Sequence, residues 1–366
     1  MKQLLLSAAG VIALAAVVNS APGHSDGKKL FQQETFGGNG RTCQTCHSDA
    51  TGTISPQDAA KRFLADPNDP LFVHDGSDDG QGHGVTRMLS SATVLVTIPL
   101  PPNVKLADDP AATSVTLRRG IPTLFNTPAL DPVLMLDGRQ PSLEDQAMGA
   151  IRDHAQNILA PSAEDLHNIA EFQKTNQFFS SPAFKNFANG KAAPGLPQGR
   201  TASEKRGRVF FEDLPPNPAE GFRPGLCAHC HSGPLQNMTN EFVDDFIAPG
   251  IPAGLRFFSI GVSEFNTAGN PVRNYIVNPG PGQVVLPSPD PGRALVTGQL
   301  QDFNFFKISP LPGIRNTAPY FHDNSAKTLE DVAAHYANFF RFVTGGVINL
   351  TLQDEKDMVA YMKLLD

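Results

Sequence analysis

The chain opens on its most apolar stretch. Met1 and Lys2 give a short basic start, Leu4 to Val18 is an almost unbroken apolar run, and small residues near Ser20 and Ala21 precede Pro22 and Gly23. A core this short has the pattern of a secretory signal peptide, residues 1–21. An uncleaved N-terminal anchor is the alternative. No later segment approaches the roughly 18 apolar residues that a bilayer span requires. The mature chain is expected to be exported to the periplasm with no stable membrane span after cleavage.

Beyond the leader, apolar positions come in short helical sets separated by turns. Gly27 to Phe31 and Gly207 to Phe211 are two helix-like segments of similar pattern. Ser142-Leu143-Glu144-Asp145 and Thr328-Leu329-Glu330-Asp331 both fit the capping box that opens a helix, with a hydroxyl followed three residues later by an acid. Met358 and Met362 fall on a C-terminal amphipathic helix, where core packing is the default for methionine. Strand patterns are few: Ala92 to Ile98 is the clearest and Val284 to Leu286 is weaker. Stretches rich in Pro and Gly at Pro194 to Gly199 and Pro279 to Pro291 predict a linker and a long surface loop. The expected fold is mostly α, with long loops and few short strands.

Composition narrows the classes. The 366 residues are 40% hydrophobic and 18% charged, which excludes a disordered chain and leaves room for two packed domains. A formal charge of −7 argues against nucleic acid and allows a basic protein partner. Phe occurs 25 times and Tyr 4 times, but Trp is absent.

The four cysteines carry the chemistry. They fall as Cys43-Gln44-Thr45-Cys46-His47 and Cys227-Ala228-His229-Cys230-His231. Both are C-x-x-C-H, the attachment signature of c-type haem. Two thiols reach the two vinyl groups of one porphyrin, and the next residue, His, provides the proximal nitrogen to iron. A redox dithiol or half of a zinc site also uses C-x-x-C. Neither explains a His directly after both pairs. Two covalently bound c-type haems are expected.

The two motifs sit in a repeat. From His47 to Glu144 is 97 positions and from His231 to Glu330 is 99, and Asn126-Thr127 corresponds to Asn316-Thr317. The chain therefore reads as two tandem cytochrome-c-like haem domains, residues 22–193 and 201–366, joined by a linker at 194–200. Six residues after Glu330 comes Tyr336, whereas six after Glu144 comes Ala150. If that position faces iron, the second haem has a phenolic neighbour and the first has a methyl group. Other candidates remain open at this point. His335 adjoins Tyr336, and His74, His83 and His154 are possible neighbours of the first haem. Glu144 is either a helix-start carboxylate or an acid–base group for O–O cleavage.

These residues resemble the bacterial dihaem cytochrome c peroxidase and MauG family. The resemblance rests on both C-x-x-C-H motifs, on Leu136-Asp137-Gly138-Arg139 through Ala147, and on Arg315-Asn316-Thr317-Ala318-Pro319-Tyr320-Phe321-His322-Asp323 through Glu330. It implies an exported enzyme whose N-terminal haem reacts with hydrogen peroxide while its C-terminal haem relays or stores electrons. The electron source is a small cytochrome or other redox protein, or a protein substrate. It further implies His47 and His231 as proximal ligands, Glu144 as the distal acid, and one calcium ion on the carbonyls of Thr317 and Pro319. Tyr336 falls where the MauG-like branch has its tyrosine ligand. Two departures stand out: the family's inter-haem Trp is missing, with Phe125 in the corresponding region, and Leu134 or a neighbour replaces a distal Gln. A dihaem electron carrier without peroxidase activity and a specialised oxidation of an organic substrate are the alternatives.

Overall fold

The computed structural model describes residues 26–243, 250–266 and 269–366. The expected signal peptide lies outside them. Among the described residues, no helix is long and apolar enough to cross a membrane. The fold is mostly helical, and its strands are short.

Each half is organised around a helix crossing that admits no side chain. In the first half the Gly27–Gln33 helix packs on the Ala163–Gln173 helix, and a Cβ on Gly27 would lie 2.1 Å from the carbonyl oxygen of Asn168. In the second, the Ala202–Arg208 helix packs on the Leu352–Met362 helix, where a Cβ on Gly207 would lie 2.0 Å from the carbonyl oxygen of Asp357. An aromatic pair seals each crossing four residues further along, Phe211 lying in the short turn that follows the Ala202–Arg208 helix. Phe31 meets Phe172 at a centroid distance of 5.4 Å, and Phe211 meets Tyr361 at 5.3 Å. Ser162 and Thr351 cap the two partner helices, each six residues before the contacted carbonyl. The repeat thus extends to two helices that the motif spacing did not register.

The two expected cap motifs open the helices Leu143–Asp153 and Leu329–Val343, the second as a full capping box. Ser142 and Thr328 accept hydrogen bonds from the backbone N–H groups of Asp145 and Asp331. The acid in each cap is the aspartate, so Glu144 and Glu330 are left out of the caps. Apolar residues at helical spacing then face inward: Leu143, Ala147 and Ile151 in one helix, and Leu329, Val332, Ala333, Phe339 and Phe340 in the other.

Short strands stitch the halves together. β1 (Thr93–Pro99) pairs antiparallel with β3 (Ser114–Gly120), and their buried residues alternate along each strand. β2 (Val104–Leu106), from the first half, pairs with β5 (Arg273–Val277), from the second, and β5 continues to β6 (Val284–Ser288), while β4 (Phe257–Phe258) pairs with β7 (Phe306–Lys307). Val104, Leu106 and Tyr275 are buried at that seam with Val115 and Leu117. The segment 279–291 is therefore not simply a surface loop: it contains β6 and ends beside Asp290, which is completely buried. Segment 194–199 is extended but anchored, since the Tyr361 hydroxyl donates to the Pro197 carbonyl at 2.9 Å.

The crossings yield a test. Gly207→Ala forces the Leu352–Met362 helix outward, and overpacking of this kind costs about 1–3 kcal/mol. Thermal unfolding should move down by several degrees, while Gly199→Ala, outside the crossing, provides a comparison at a positive-φ turn. An unchanged Tm for Gly207→Ala would show that the two helices do not pack on backbone.

Candidate functional site

A single cavity of about 360 Å³ connects the two cysteine motifs. Cys43, Cys46 and His47 line one end and Cys227, Cys230 and His231 the other. The walls between them are mostly apolar, supplied by residues such as Leu134, Leu143, Ile151, Phe306, Leu311 and Phe339.

The two ends are built alike. Cys43–Cys46 forms one helical turn, so its thiols and the following imidazole converge on one space. The Nδ1–H of His47 donates to the Gly52 carbonyl at 2.7 Å, and that of His231 donates to the Gln236 carbonyl at 2.8 Å, five residues on in both cases. A carbonyl accepts only, so the tautomer is fixed and Nε2 keeps its lone pair for a metal. Burial pushes both imidazoles down to about 4, which holds them neutral near pH 7. The thiols shift the opposite way: burial lifts Cys43 and Cys230 to about 12 and raises Cys46 and Cys227 as well. A redox dithiol needs a lowered thiol pKa. None of the four cysteines forms a disulfide, and among the described residues no cluster of three or more His, Cys, Asp or Glu side chains is arranged for a metal ion. Paired thiols, imidazoles whose Nε2 atoms carry a lone pair, and an apolar cavity fit covalently attached haem.

The remaining expected residues separate into those on the cavity and those off it. Tyr336 lines it, and its hydroxyl stands 3.3 Å from His231 Nε2. Burial raises that phenol far above its ordinary value. Its neighbour His335 does not line the cavity, and its Nε2 lies 2.8 Å from the Ile260 carbonyl. Ala150, at the matching helical position, leaves only a methyl group near the first motif. Thr317 and Pro319 lie on the wall, and the peptide between Ala318 and Pro319 is cis. Met358 and Met362 also line the second end, with Met358 Sδ 3.9 Å from Cys227 Sγ.

Glu144 corrects an expectation. Its carboxylate is outside the cavity lining and sits 3.4 Å from His167 Nδ1 on the Ala163–Gln173 helix. The inward face of its own helix places Gln146, Ala147, Ala150 and Ile151 on the wall, and His154 follows at the C-cap. In helical projection Glu144 lies at the edge of that face, about 20° beyond Ile151, and its carboxylate is directed to His167 instead of the wall. Phe125 is off the wall too; its ring lies against Gly313. His74 and His83 are also away from the cavity: His74 Nε2 is 3.2 Å from the Asp153 carbonyl, and His83 pairs with Asp79 on the surface.

The wall between the two ends carries a charged cluster that the motifs did not disclose. Arg119, 1% exposed, donates to both carboxylate oxygens of Asp290 at 2.7 and 2.8 Å and to Asp137 at 2.5 Å. Burial opposes the charge on Arg119, but the two carboxylates overcome it and raise its pKa. Arg139 adds a second cation to Asp137 at 2.9 Å. The guanidinium of Arg119 lies 5.8 Å from the Phe306 ring centre, and Phe306 stacks on His322 at 3.6 Å with an interplanar angle of 6°.

Two equivalent sites of paired thiols and buried histidine on one cavity define a protein built for two c-type haems. The comparisons agree. A family model described as di-haem cytochrome c peroxidase matches residues 25–193. An 82-residue stretch is 39% identical to cytochrome c551 peroxidase of Nitrosomonas europaea, covering 21% of this chain and 22% of that protein. Another, of 243 residues, is 26% identical to cytochrome c551 peroxidase of Pseudomonas aeruginosa, covering 60% and 58% respectively. The chain thus aligns with less than two thirds of either relative's length. In fold it is similar to the crystal structure of a MauG-like protein associated with microbial copper homeostasis, with a TM-score of 0.51, 18% identity, and coverage of 93% and 87%. The family match thus spans residues 25–193, a little under half of the chain, and the likeness in fold extends over nearly all of it.

The charged cluster is open to test. Asp290→Asn leaves Arg119 buried with half of its countercharge, and breaking a buried pair costs about 3–5 kcal/mol. A sharply lowered Tm is expected, with Asp108→Asn as the exposed control because it also pairs with an arginine. Equal, small losses for both would mean that Arg119 is not dependent on Asp290.

Proposed function

We propose that the protein is an exported, peroxide-dependent dihaem oxidoreductase. The carrying observation is the inequality of its two ends: the Tyr336 hydroxyl faces His231 across 3.3 Å, whereas Ala150 offers no polar atom to the first end. Haem iron with an exchangeable position binds and reduces oxygen species, while six-coordinate iron passes electrons. The first end therefore suits hydrogen peroxide and the second suits relay or storage of electrons.

The chain's own residues set the conditions. His47 and His231 would hold the haems through nitrogens in a fixed tautomer, and Tyr336 would offer a phenolic oxygen at the second site. A hard oxygen donor favours the oxidised metal, which suits holding an oxidising equivalent there. The apolar wall keeps water away from both ends and strengthens every charge interaction between them. Without tryptophan, the aromatic pair Phe306 and His322 is the stacked element on that wall.

The two haem domains at 22–193 and 201–366 are supported by the repeated glycine crossings. Export to the periplasm rests on the leader pattern of residues 1–21. The reductant is a small basic cytochrome or another redox protein, in keeping with the net charge of −7, or a protein substrate. A calcium ion, if bound, would be held by the carbonyls of Thr317 and Pro319, and no step depends on it.

Electron paramagnetic resonance of the haem-loaded protein tests the proposal. One high-spin and one low-spin ferric signal are expected, and the high-spin signal should vanish within seconds of adding peroxide. Two low-spin signals indifferent to peroxide would make the protein an electron carrier instead. Tyr336→Phe should alter only the low-spin signal.

A further inference from the structure

With Glu144 turned outward, the first end needs another group to handle protons. We propose that His154 is the distal base of the first site, accepting through Nε2 the proton of a weak-acid ligand that enters the cavity. The assignment of hydroperoxide as that ligand rests on the function proposed above; the placement of the base does not.

His154 caps the Leu143–Asp153 helix and lines the cavity together with His47 and Ala150. It follows Ala150 by one helical turn. Helical side chains lean toward the N-terminus, so a residue one turn beyond a small one covers the space that the small one leaves. The ring is fixed by a buried relay. Its Nδ1 is hydrogen-bonded to one carboxylate oxygen of Asp75, and Arg41 holds the other. Arg41 is anchored by the carbonyls of Pro70, Leu71 and Val73 at 2.8, 2.9 and 2.7 Å. Asp75 and Arg41 are 4% and 2% exposed, so neither partner is a mobile surface group.

An ionised carboxylate can only accept, so His154 donates through Nδ1 and its Nε2 lone pair is free. A base oriented by a third group is the recurring arrangement for proton abstraction, and the carboxylate stabilises the imidazolium that results. In the step, the O–H bond of the incoming hydroperoxide breaks and an N–H bond forms at Nε2, leaving the peroxide as an anion. Gln146, the nearest polar side chain on the same face, can hydrogen-bond a ligand but cannot take its proton.

The second site lacks this group. Counting four residues from Tyr336, as His154 is four from Ala150, reaches Phe340. The base is present where the phenol is missing, and an apolar ring stands where the phenol is present. The two halves differ at two successive inward positions, in a complementary way.

Cyanide supplies a test that needs no turnover, because it is a weak acid whose anion binds ferric haem. Haem-loaded His154→Leu should bind cyanide about 100-fold more slowly than the unaltered protein, within the range of general-base contributions. Its resting electron paramagnetic resonance should be unchanged. Asp75→Asn should show a smaller slowing, since the imidazole remains but its orientation is loosened, and His154→Gln guards against loss of packing. Cyanide binding at the unaltered rate in both His154 variants overturns the proposal. So does a resting first-haem signal that changes from low to high spin, since His154 would then be a ligand. A protein with His154-dependent cyanide binding but no reaction with peroxide retains the base and refutes the peroxidase reading.

Discussion

Arg119 is a full positive charge with almost no access to water, and the joint between the halves depends on how it is neutralised. It leaves the end of β3 in the first half and reaches Asp290 at the end of the β6 segment in the second. Asp137, in the turn before the Leu143–Asp153 helix, closes the other side. A buried guanidinium tolerates neither the loss of a carboxylate nor a shift of a few tenths of an ångström in its bidentate geometry. Three separate chain segments are thereby held in one relation, and two of them, those of Arg119 and Asp137, border the cavity. Arg119 also lies over Phe306 and so fixes the wall between the two haem ends.

Much of the site was legible in the sequence because haem attachment is a local signature. Cys43, Cys46 and His47 occupy one turn and its cap, and no distant residue is needed to predict that they converge. The caps at Ser142 and Thr328 were legible for the same reason, and they gave the helix register that placed Tyr336 on the cavity. Reading Glu144 failed at the level of side-chain direction. The motif put it in the right helix, but at the edge of the inward face its carboxylate pairs with His167 on the neighbouring helix, and the capping acid is Asp145. Distal His154 was one candidate among several, since its partner Asp75 lies 79 positions away. Long-range pairings such as Arg119 with Asp290 and β2 with β5 leave little local trace. The glycine crossings did leave one: Gly27 and Gly207 precede matched phenylalanines, but their meaning appears only when the opposing carbonyls are seen.

Duplicated architecture with unequal chemistry is the organising idea of the molecule. The crossings, the aromatic seals, the carbonyl-bound histidines and the capped helices recur in both halves with nearly the same spacing. What differs includes three positions on one helix face, Gln146, Ala150 and His154 against Val332, Tyr336 and Phe340. A scaffold that holds backbone so closely in common lets small side-chain differences decide how each end behaves.

The seam between β2 and β5 has a consequence for how the chain comes into being. Val104 finds its partner Val277 only 173 positions later, so the first half leaves the ribosome with one strand unmatched and the apolar residues around Leu106 uncovered. Closing so long a loop is entropically slow, and contacts of this separation form late. The first half is thus an unfinished object until most of the second has been made. For a protein whose cysteines must be reached by attachment machinery, delayed closure keeps the first motif accessible while the rest of the chain arrives.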